Sequence, residues 1–139
     1  MSNRLMTPLT LSAYTLVTAN GRGVGAVSQA LHARRSGLKP CDFDDTKLKT
    51  YTGRVAGLED FSLGHGVEAF DCRNNRLAWL GLQQDGFMVA VAEAKQRYGA
   101  DRIAVVMGTS TSGILETELA YRNRDAKTGQ LPPWYTSRY

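Results

Sequence analysis

Apolar and polar residues alternate near the beginning of the chain, over residues 9–17 (LTLSAYTLV). A period of two predicts a β-strand with one buried face. The asparagine–glycine pair at 20–21 then predicts a turn. Beyond it, apolar residues recur at helical spacing over residues 25–35, and Ser36-Gly37 provides a stop. The pattern therefore predicts a strand, a glycine turn and a helix.

The middle of the chain is less regular. Residues 38–72 open with a polar, acidic stretch and are predicted to be mostly loop, with one short strand at 51–55. Residues 74–98 follow a helical period, and one of the asparagines at its beginning, 74 or 75, would supply the N-cap. Asp85-Gly86 is a point where this helix can be interrupted. Three aromatic residues are predicted to lie in the core: Trp79, Phe87 and Tyr98.

The clearest strand pattern is the unbroken apolar run at 103–107 (IAVVM). Such a run is typical of a strand that is buried on both faces of a largely parallel sheet. Residues 108–113 (GTSTSG) predict a turn, residues 114–124 a helix, and residues 125–139 a loop. The elements together predict an α/β fold.

Length, composition and charge narrow the class of protein. A chain of 139 residues can bury one core, so we expect one unit over residues 1–139. The net charge of +4 is a mild excess with one tight basic group, Arg34, Arg35 and Lys39, and no nucleic-acid-binding motif accompanies it. Without a secretory pattern or an apolar run of membrane-spanning length, a cytoplasmic protein is expected.

Residues 21–26 (GRGVGA) fit the motif G-x-G-x-x-G/A between a predicted strand and a predicted helix. In that setting, backbone amides can hold the pyrophosphate of a dinucleotide. The motif also requires a second strand that ends in an acidic residue about twenty positions later, whereas residues 38–45 are polar and contain Pro40. A glycine turn is the favoured interpretation, and a dinucleotide-binding oxidoreductase is a remote alternative.

Four hydroxyl residues follow the predicted buried strand, at the sheet edge where ligands usually sit in α/β folds. They could line a pocket or bind an anion at the start of the next helix. A G-x-S-x-G nucleophile elbow does not fit, because the segment is one residue too long. Helix capping is a compatible alternative, with Ser112 or Gly113 at the N-cap and Glu116 at N3. The four hydroxyl residues are Thr109, Ser110, Thr111 and Ser112.

The remaining reactive residues form no catalytic pattern. Cys41 and Cys72 are far apart, and neither has a second ligand at metal-binding spacing. His32 and His65 lack a nucleophile or carboxylate at a telling spacing. Two carboxylates two positions apart on a helix, at 116 and 118, do not share a face. No nucleophile, general base, metal site or cofactor is predicted.

Four stretches, taken in order, form a larger pattern. The stretches are TANG at 18–21 with the helix end LHARRSGL at 31–38, YTGRVAG at 51–57, DCRNNRL at 71–77 and IAVVMGTSTSGILE at 103–116. Their order resembles the N-terminal part of the β-ketoacyl synthases of the thiolase-like superfamily, and the stretches span nearly the whole chain. They are similar to the family's glycine turn and L-x-x-G-x-S-G helix end, its G-x-V strand, the start of its long helix and its V-G-V-x-x-G-x-x-x-G-G strand and loop.

The resemblance implies a partial thiolase-like layered fold and a condensing acyltransferase of fatty-acid or polyketide biosynthesis. The GTSTSG and RNNR forms resemble the synthases associated with aryl polyene pigments. Acyl and malonyl thioesters of an acyl carrier protein would be the substrates, and the complete enzyme would be a homodimer or a ketosynthase heterodimer. Thr111 matches the residue that gates the acyl pocket, with Ser110 and Ser112 beside it, although the family more often has a bulky apolar gate. Arg34, Arg35 and Lys39 would be docking contacts for the acidic carrier protein.

The resemblance also implies that the catalytic groups lie outside this chain. The family's nucleophilic Cys and its two catalytic His would come after Tyr139, and the two Cys and two His present match none of these positions. We therefore expect an N-terminal part that is inactive alone and exposes apolar surface that promotes aggregation or oligomerisation. A non-catalytic chain-length-factor subunit, which shares the fold and lacks the nucleophile, is the alternative.

Overall fold

The chain folds into helices and short antiparallel strands. A computed structural model describes residues 8–43, 48–109 and 113–136. These residues form two compact units, Met1–Ala104 and Val105–Tyr139. The expected mixture of α-helices and β-strands is confirmed, with the strands in two small antiparallel sheets. The thiolase-like layering remains a proposal. Among the described helices, none is both long and apolar enough to cross a membrane.

The first hairpin follows the predicted glycine turn. Strand β1 (Val17–Thr18) pairs antiparallel with β2 (Gly21–Arg22), with Val17 opposite Arg22. Helix α1 (Val24–His32) follows directly and confirms the helix predicted at 25–35. The predicted turn is therefore present, but the chain reverses through it instead of passing straight from a strand into the helix.

The second hairpin contains a strand that the sequence did not reveal. Strand β4 (Tyr51–Gly53) confirms the short strand predicted at 51–55, and it pairs antiparallel with β3 (Leu38–Pro40). Strand β3 lies in the predicted loop because Pro40 weakens the strand pattern. A proline is tolerated here since both strands of a two-stranded sheet are edges.

Helix α1 ends in a Schellman motif with an unusual residue. The Arg35 amide donates to the Ala30 carbonyl at 2.8 Å, and the Arg34 amide donates to the Leu31 carbonyl at 3.0 Å. Arg34 occupies the left-handed position with φ 51°, where glycine is the usual residue. The helix therefore ends before the predicted stop at Ser36-Gly37, at some cost in backbone strain.

The helix predicted at 74–98 is two helices. Helix α2 (Arg73–Leu82) and helix α3 (Phe87–Tyr98) are separated where Asp85-Gly86 was expected to interrupt them, and both of these residues have positive φ. Cys72, not an asparagine, is the N-cap residue of α2. Short 3₁₀ turns precede α2 at Glu68–Phe70 and follow α3 at Ala100–Arg102.

The second unit contains helices α4 (Ile114–Arg122) and α5 (Pro133–Thr136). Helix α4 confirms the helix predicted at 114–124, with Gly113 at the N-cap and Glu116 at N3. Helix α5 lies in the predicted loop because it is only four residues long, too short for a periodic pattern. Its first residue is Pro133, which suits the first turn of a helix.

Two predicted strands are not present as predicted. Of the segment at 9–17, only its last residue lies in a strand, and Leu9 is 88% exposed. The run at 103–107 is irregular and not a strand, and Val106 is 92% exposed. An apolar run becomes a strand only when another strand pairs with it, and the described residues provide no such neighbour.

The buried core is small. Its apolar residues in the described ranges are Val27, Ala30, Leu58, Leu80 and Ala120. Trp79 and Phe87 are half-buried, whereas Tyr98 is 54% exposed, so its prediction as a core residue is wrong. Tyr98 lies at the last residue of α3, where the helix contributes little packing surface.

Candidate functional site

The three residues predicted to bind substrate, Ser110, Thr111 and Ser112, lie outside the described residues. Their neighbours in the chain are described: Thr109 is exposed, and Gly113 begins α4 with φ 76°. The Thr117 hydroxyl lies 2.9 Å from the Gly113 carbonyl oxygen and 3.0 Å from the Tyr135 hydroxyl. Thr117 therefore links the N-cap residue of α4 to α5.

The glycine turn is occupied by a carboxylate of this chain. The amide of Val24, at the first position of α1, lies 3.0 Å from each carboxylate oxygen of Asp85. The Thr15 hydroxyl lies 2.9 Å from the same carboxylate. Gly23, with φ 84°, leaves room for this contact, since a Cβ there would lie 2.9 Å from Asp85 Oδ1. Asp85 thus caps α1 from the α2–α3 turn and complements the positive end of the helix dipole.

This arrangement argues against the dinucleotide interpretation of residues 21–26. A pyrophosphate would need the amide that Asp85 already binds, and it would meet the negative charge of that carboxylate. Strand β2 is also antiparallel to β1, so this part of the chain is not the βαβ unit that the motif requires. The glycines allow a tight turn and let the Asp85 carboxylate come close to the Val24 amide.

Arg22 connects the same hairpin to the stretch at 51–57. Its guanidinium donates a hydrogen bond to the Ala56 carbonyl. Gly57, with φ 67°, lies directly beneath the guanidinium, and a Cβ at that position would collide with it. Arg22 thus fastens the segment next to the TANG turn to the stretch at 51–57, and the pairing of Leu38 with Gly53 joins that stretch to the one at 31–38.

Arginine ion pairs hold the beginning of α2. Arg76 donates two hydrogen bonds to the Asp71 carboxylate, at 2.5 and 3.2 Å, and these bonds raise the pKa of the Arg76 guanidinium. Arg73 lies 2.9 Å from Glu59 and also stacks over the Phe43 ring at 5.4 Å. The RNNR segment, which sequence reasoning treated only as part of a resemblance, thus has a structural role.

An open apolar groove lies beside α1. It has a volume of about 460 Å³ and is formed by α1, the β1–β2 turn and the chain leading into β3. Gly37 allows the chain to pass this turn, because a Cβ there would collide with the Ala19 carbonyl. The residues that line the groove are Thr18, Ala19, Asn20, Val27, Leu31, Ser36, Gly37 and Leu38.

A second apolar recess of about 320 Å³ lies against α2. Its walls include Leu63, Phe70 and Trp79. Asn75 is its polar lining residue, and its side-chain amide donates to the Phe70 carbonyl at 2.8 Å. That hydrogen bond fastens the 3₁₀ turn to α2.

The histidines and cysteines do not assemble a catalytic centre in the described ranges. His32 Nδ1 lies 2.8 Å from the Ser28 carbonyl, and His65 lies 3.4 Å from Glu68, whose pKa is lowered by hydrogen bonds from backbone amides. Cys41 and Cys72 are half-buried free thiols. No group of three His, Cys, Asp or Glu in these ranges could hold a metal ion.

Comparison with known proteins does not identify a family. No family model matches the chain, and neither a curated protein nor a solved structure matches it. The family therefore stays a proposal that rests on the order of the segments.

Proposed function

We propose that this chain is the N-terminal part of a β-ketoacyl synthase, a condensing acyltransferase of fatty-acid or polyketide biosynthesis. The observation that carries the proposal is the order of the four stretches at 18–21 with 31–38, 51–57, 71–77 and 103–116. Each stretch alone is a modest signal, but their order and spacing together are fairly specific.

The local structure of these stretches supports part of the proposal. The first includes the β1–β2 turn and the end of α1, the second contains β4, and the third begins α2. These elements agree with the glycine turn, the helix end, the short strand and the helix start that the resemblance implies. The fourth stretch leads into α4, but the strand that the resemblance implies there is absent at 103–107, and the implied long helix is divided into α2 and α3.

The exposed run at 103–107 gives a second line of support. Its last three residues are consecutive large apolar residues, and all three are highly exposed. Exposed apolar residues are common singly, whereas a contiguous group marks a surface that another segment covers. A strand that belongs inside a parallel sheet would expose such a surface when its neighbouring strands are absent.

The proposed reaction needs groups that the described residues do not bring together. A Cys thiolate would attack the acyl thioester carbonyl, form the acyl-enzyme and release the carrier thiol. Two His would then assist loss of CO₂ from a malonyl thioester. The resulting carbanion would attack the acyl-enzyme carbonyl, forming the new carbon–carbon bond while the acyl–sulfur bond breaks and the Cys thiolate leaves. Ser110, Thr111 and Ser112 would line the acyl pocket.

The coding sequence beyond the Tyr139 codon, translated in all three frames, tests the proposal. We expect a Thr-Ala-Cys-Ser-Ser-type segment followed by two histidines in a downstream frame. A Gln in place of that Cys would instead favour the non-catalytic chain-length partner. Absence of both forms from every frame would contradict the assignment to the family.

An activity assay tests the expected inactivity of the isolated chain. The purified chain, mixed with acyl and malonyl carrier protein, should give no β-ketoacyl carrier protein by intact-mass spectrometry. A complete synthase of known activity is the positive control. A measurable rate from the chain alone would show that its own residues form the catalytic centre.

A further inference from the structure

We propose that residues 132–135 (PPWY) form a strap that holds the first turn of α4 in its helical form. The strap includes the start of α5 and binds α4 through a chain of side-chain hydrogen bonds. Both elements belong to the second unit. The inference concerns the conformation of this unit and does not depend on the proposed reaction.

The first turn of α4 lacks the usual supports. Its N-cap residue is Gly113, which has no side chain to bind the first helical amides. Ile114 and Leu115 are 49% and 55% exposed, so burial secures this turn only weakly. The helix has nine residues, whereas isolated helices shorter than about 12–15 residues are marginal in water. The turn therefore depends on contacts from outside the helix.

A chain of hydrogen bonds supplies such a contact, and its direction follows from counting protons. The Gly113 carbonyl oxygen lies 2.9 Å from both the amide nitrogen and the hydroxyl oxygen of Thr117. A carbonyl oxygen only accepts, so the Thr117 hydroxyl donates its one proton to it. The Tyr135 hydroxyl, 3.0 Å from the Thr117 hydroxyl, must then be the donor of that second bond. The chain of donors runs from Tyr135 through Thr117 to Gly113.

The strap is restricted in conformation before it makes this contact. Pro132 and Pro133 have fixed backbone φ angles, so the segment loses less conformational entropy when it docks. The Tyr135 amide donates to the Pro132 carbonyl at 3.0 Å. Ala120 is fully buried and lies one turn after Thr117, which makes this face of α4 its buried face. The strap therefore reaches α4 on the side that is covered.

The strap defines two states of the second unit. When Tyr135 is bound, the first turn of α4 is helical. When the strap is released, this turn loses its outside contact and frays. Local openings of this kind cost far less free energy than global unfolding, so the strap can open while the helices around it stay folded. If the proposed function holds, the strap acts on the helix that directly follows the predicted acyl-pocket residues in the sequence.

Amide hydrogen exchange of the full chain, followed by NMR, tests the strap. Tyr135→Phe removes only the terminal donor, and the loss of one hydrogen bond should lower the protection of the Thr117 amide about threefold to tenfold. Tyr121→Phe makes the same chemical change at a tyrosine of α4 that is 56% exposed, and it should leave this amide within about twofold. Amides of α1, in the other unit, should respond to neither variant.

Variants of Thr117 separate the hydrogen bonds from a general loss of packing. Thr117→Val keeps the shape of the side chain but removes the hydroxyl, and it should lower protection at position 117 at least as much as Tyr135→Phe. Thr117→Ser keeps the hydroxyl and should retain most of the protection. Because both residues act in one chain of bonds, the double variant Thr117→Val/Tyr135→Phe should lose no more than Thr117→Val alone. Circular dichroism checks that each variant remains folded.

Several results would overturn the proposal. These are unchanged protection in Tyr135→Phe, an equal loss in Tyr121→Phe, or additive losses in the double variant. A loss in Thr117→Ser as large as that in Thr117→Val would also contradict it, because packing and not the hydroxyl would then be responsible. None of these outcomes bears on the coding-sequence test of the proposed function, and failure of that test leaves the strap unaffected.

Discussion

The N-terminus of α1 and the run at 103–107 differ in whether other described residues of the chain contact and cover them. At α1, the Asp85 carboxylate binds the first helical amide, and the helix buries its own residues Val27 and Ala30. At 105–107, three large apolar side chains face solvent without a paired strand in the described chain. The first region is completed by residues of this chain, while the second has no pairing strand among the described residues.

The difference shows which kinds of structure a chain of this size can complete alone. A helix satisfies its own backbone hydrogen bonds and needs only a cap and one covered face. A central strand needs hydrogen-bonding neighbours on both sides and cover on both faces. Substitutions test the contacts that support the first region, and amide hydrogen exchange tests the lack of a paired strand in the second.

Truncation of a buried leucine should have the largest effect. Leu80→Ala removes a side chain that is 3% exposed while keeping good helix propensity, so the opening free energy of α2 amides should fall by about 2–5 kcal/mol. Leu77→Ala, at a leucine one turn earlier that is 36% exposed, should cost less than Leu80→Ala. Amide hydrogen exchange measures both values. Equal costs would mean that Leu80 is not a core residue.

Removal of the Asp85 carboxylate should have the next largest effect. Asp85→Ala takes the cap from α1 and should lower the opening free energy of its first-turn amides by about 0.5–2 kcal/mol. The control Asp60→Ala, at an exposed aspartate, should change these amides by less than about 0.5 kcal/mol. Unchanged exchange at Val24 in Asp85→Ala would contradict the cap.

A glycine at the end of α1 should stabilise the first region slightly. Arg34→Gly relieves a left-handed conformation and should raise the opening free energy of α1 amides by about 0.5–1 kcal/mol. Arg34→Ala removes the same charge but keeps the Cβ, so it should bring no comparable gain. A gain in both variants would assign the effect to the charge instead of the backbone.

The smallest effect should be local and dependent on pH. Hydrogen bonds from the amides and hydroxyl of residues 127–128 lower the pKa of Asp125. This carboxylate therefore stabilises its turn at pH values above the ordinary aspartate pKa, and the stabilisation is lost as the pH falls through the lowered value. NMR of the Thr128 amide should follow that loss, and Asp125→Asn should abolish its pH dependence. An ordinary or raised pKa for Asp125 would contradict this.

The elements with local signals were predictable from the sequence. Helix α1, the break at Asp85-Gly86 and helix α4 follow from periodicity and turn residues, which act over a few positions. Strand β3 was missed because its partner at 51–53 lies beyond a polar stretch, and pairing over that distance leaves no local pattern. The Asp85 cap on α1 was missed for the same reason, since 61 positions separate Asp85 from the amide that it binds.

The candidate substrate site was less accessible to sequence reasoning. The hydroxyls at 110–112 suggested a pocket, but their placement lies outside the described residues. The groove beside α1 was not predicted. A groove depends on how a turn and a helix pack together, which periodicity does not report.

Amide hydrogen exchange of the purified chain, compared between α1 and residues 103–107, tests the central contrast most directly. The account predicts slow exchange in the α1 interior and exchange near the unprotected rate at 104–107, because these amides have no paired strand, whereas the Ile103 amide is bonded to the Ala100 carbonyl. Protection at 104–107 comparable to that of α1, in a chain kept monomeric, would show that the run is already a paired strand. That result would remove the exposed strand as support for a synthase completed by further segments.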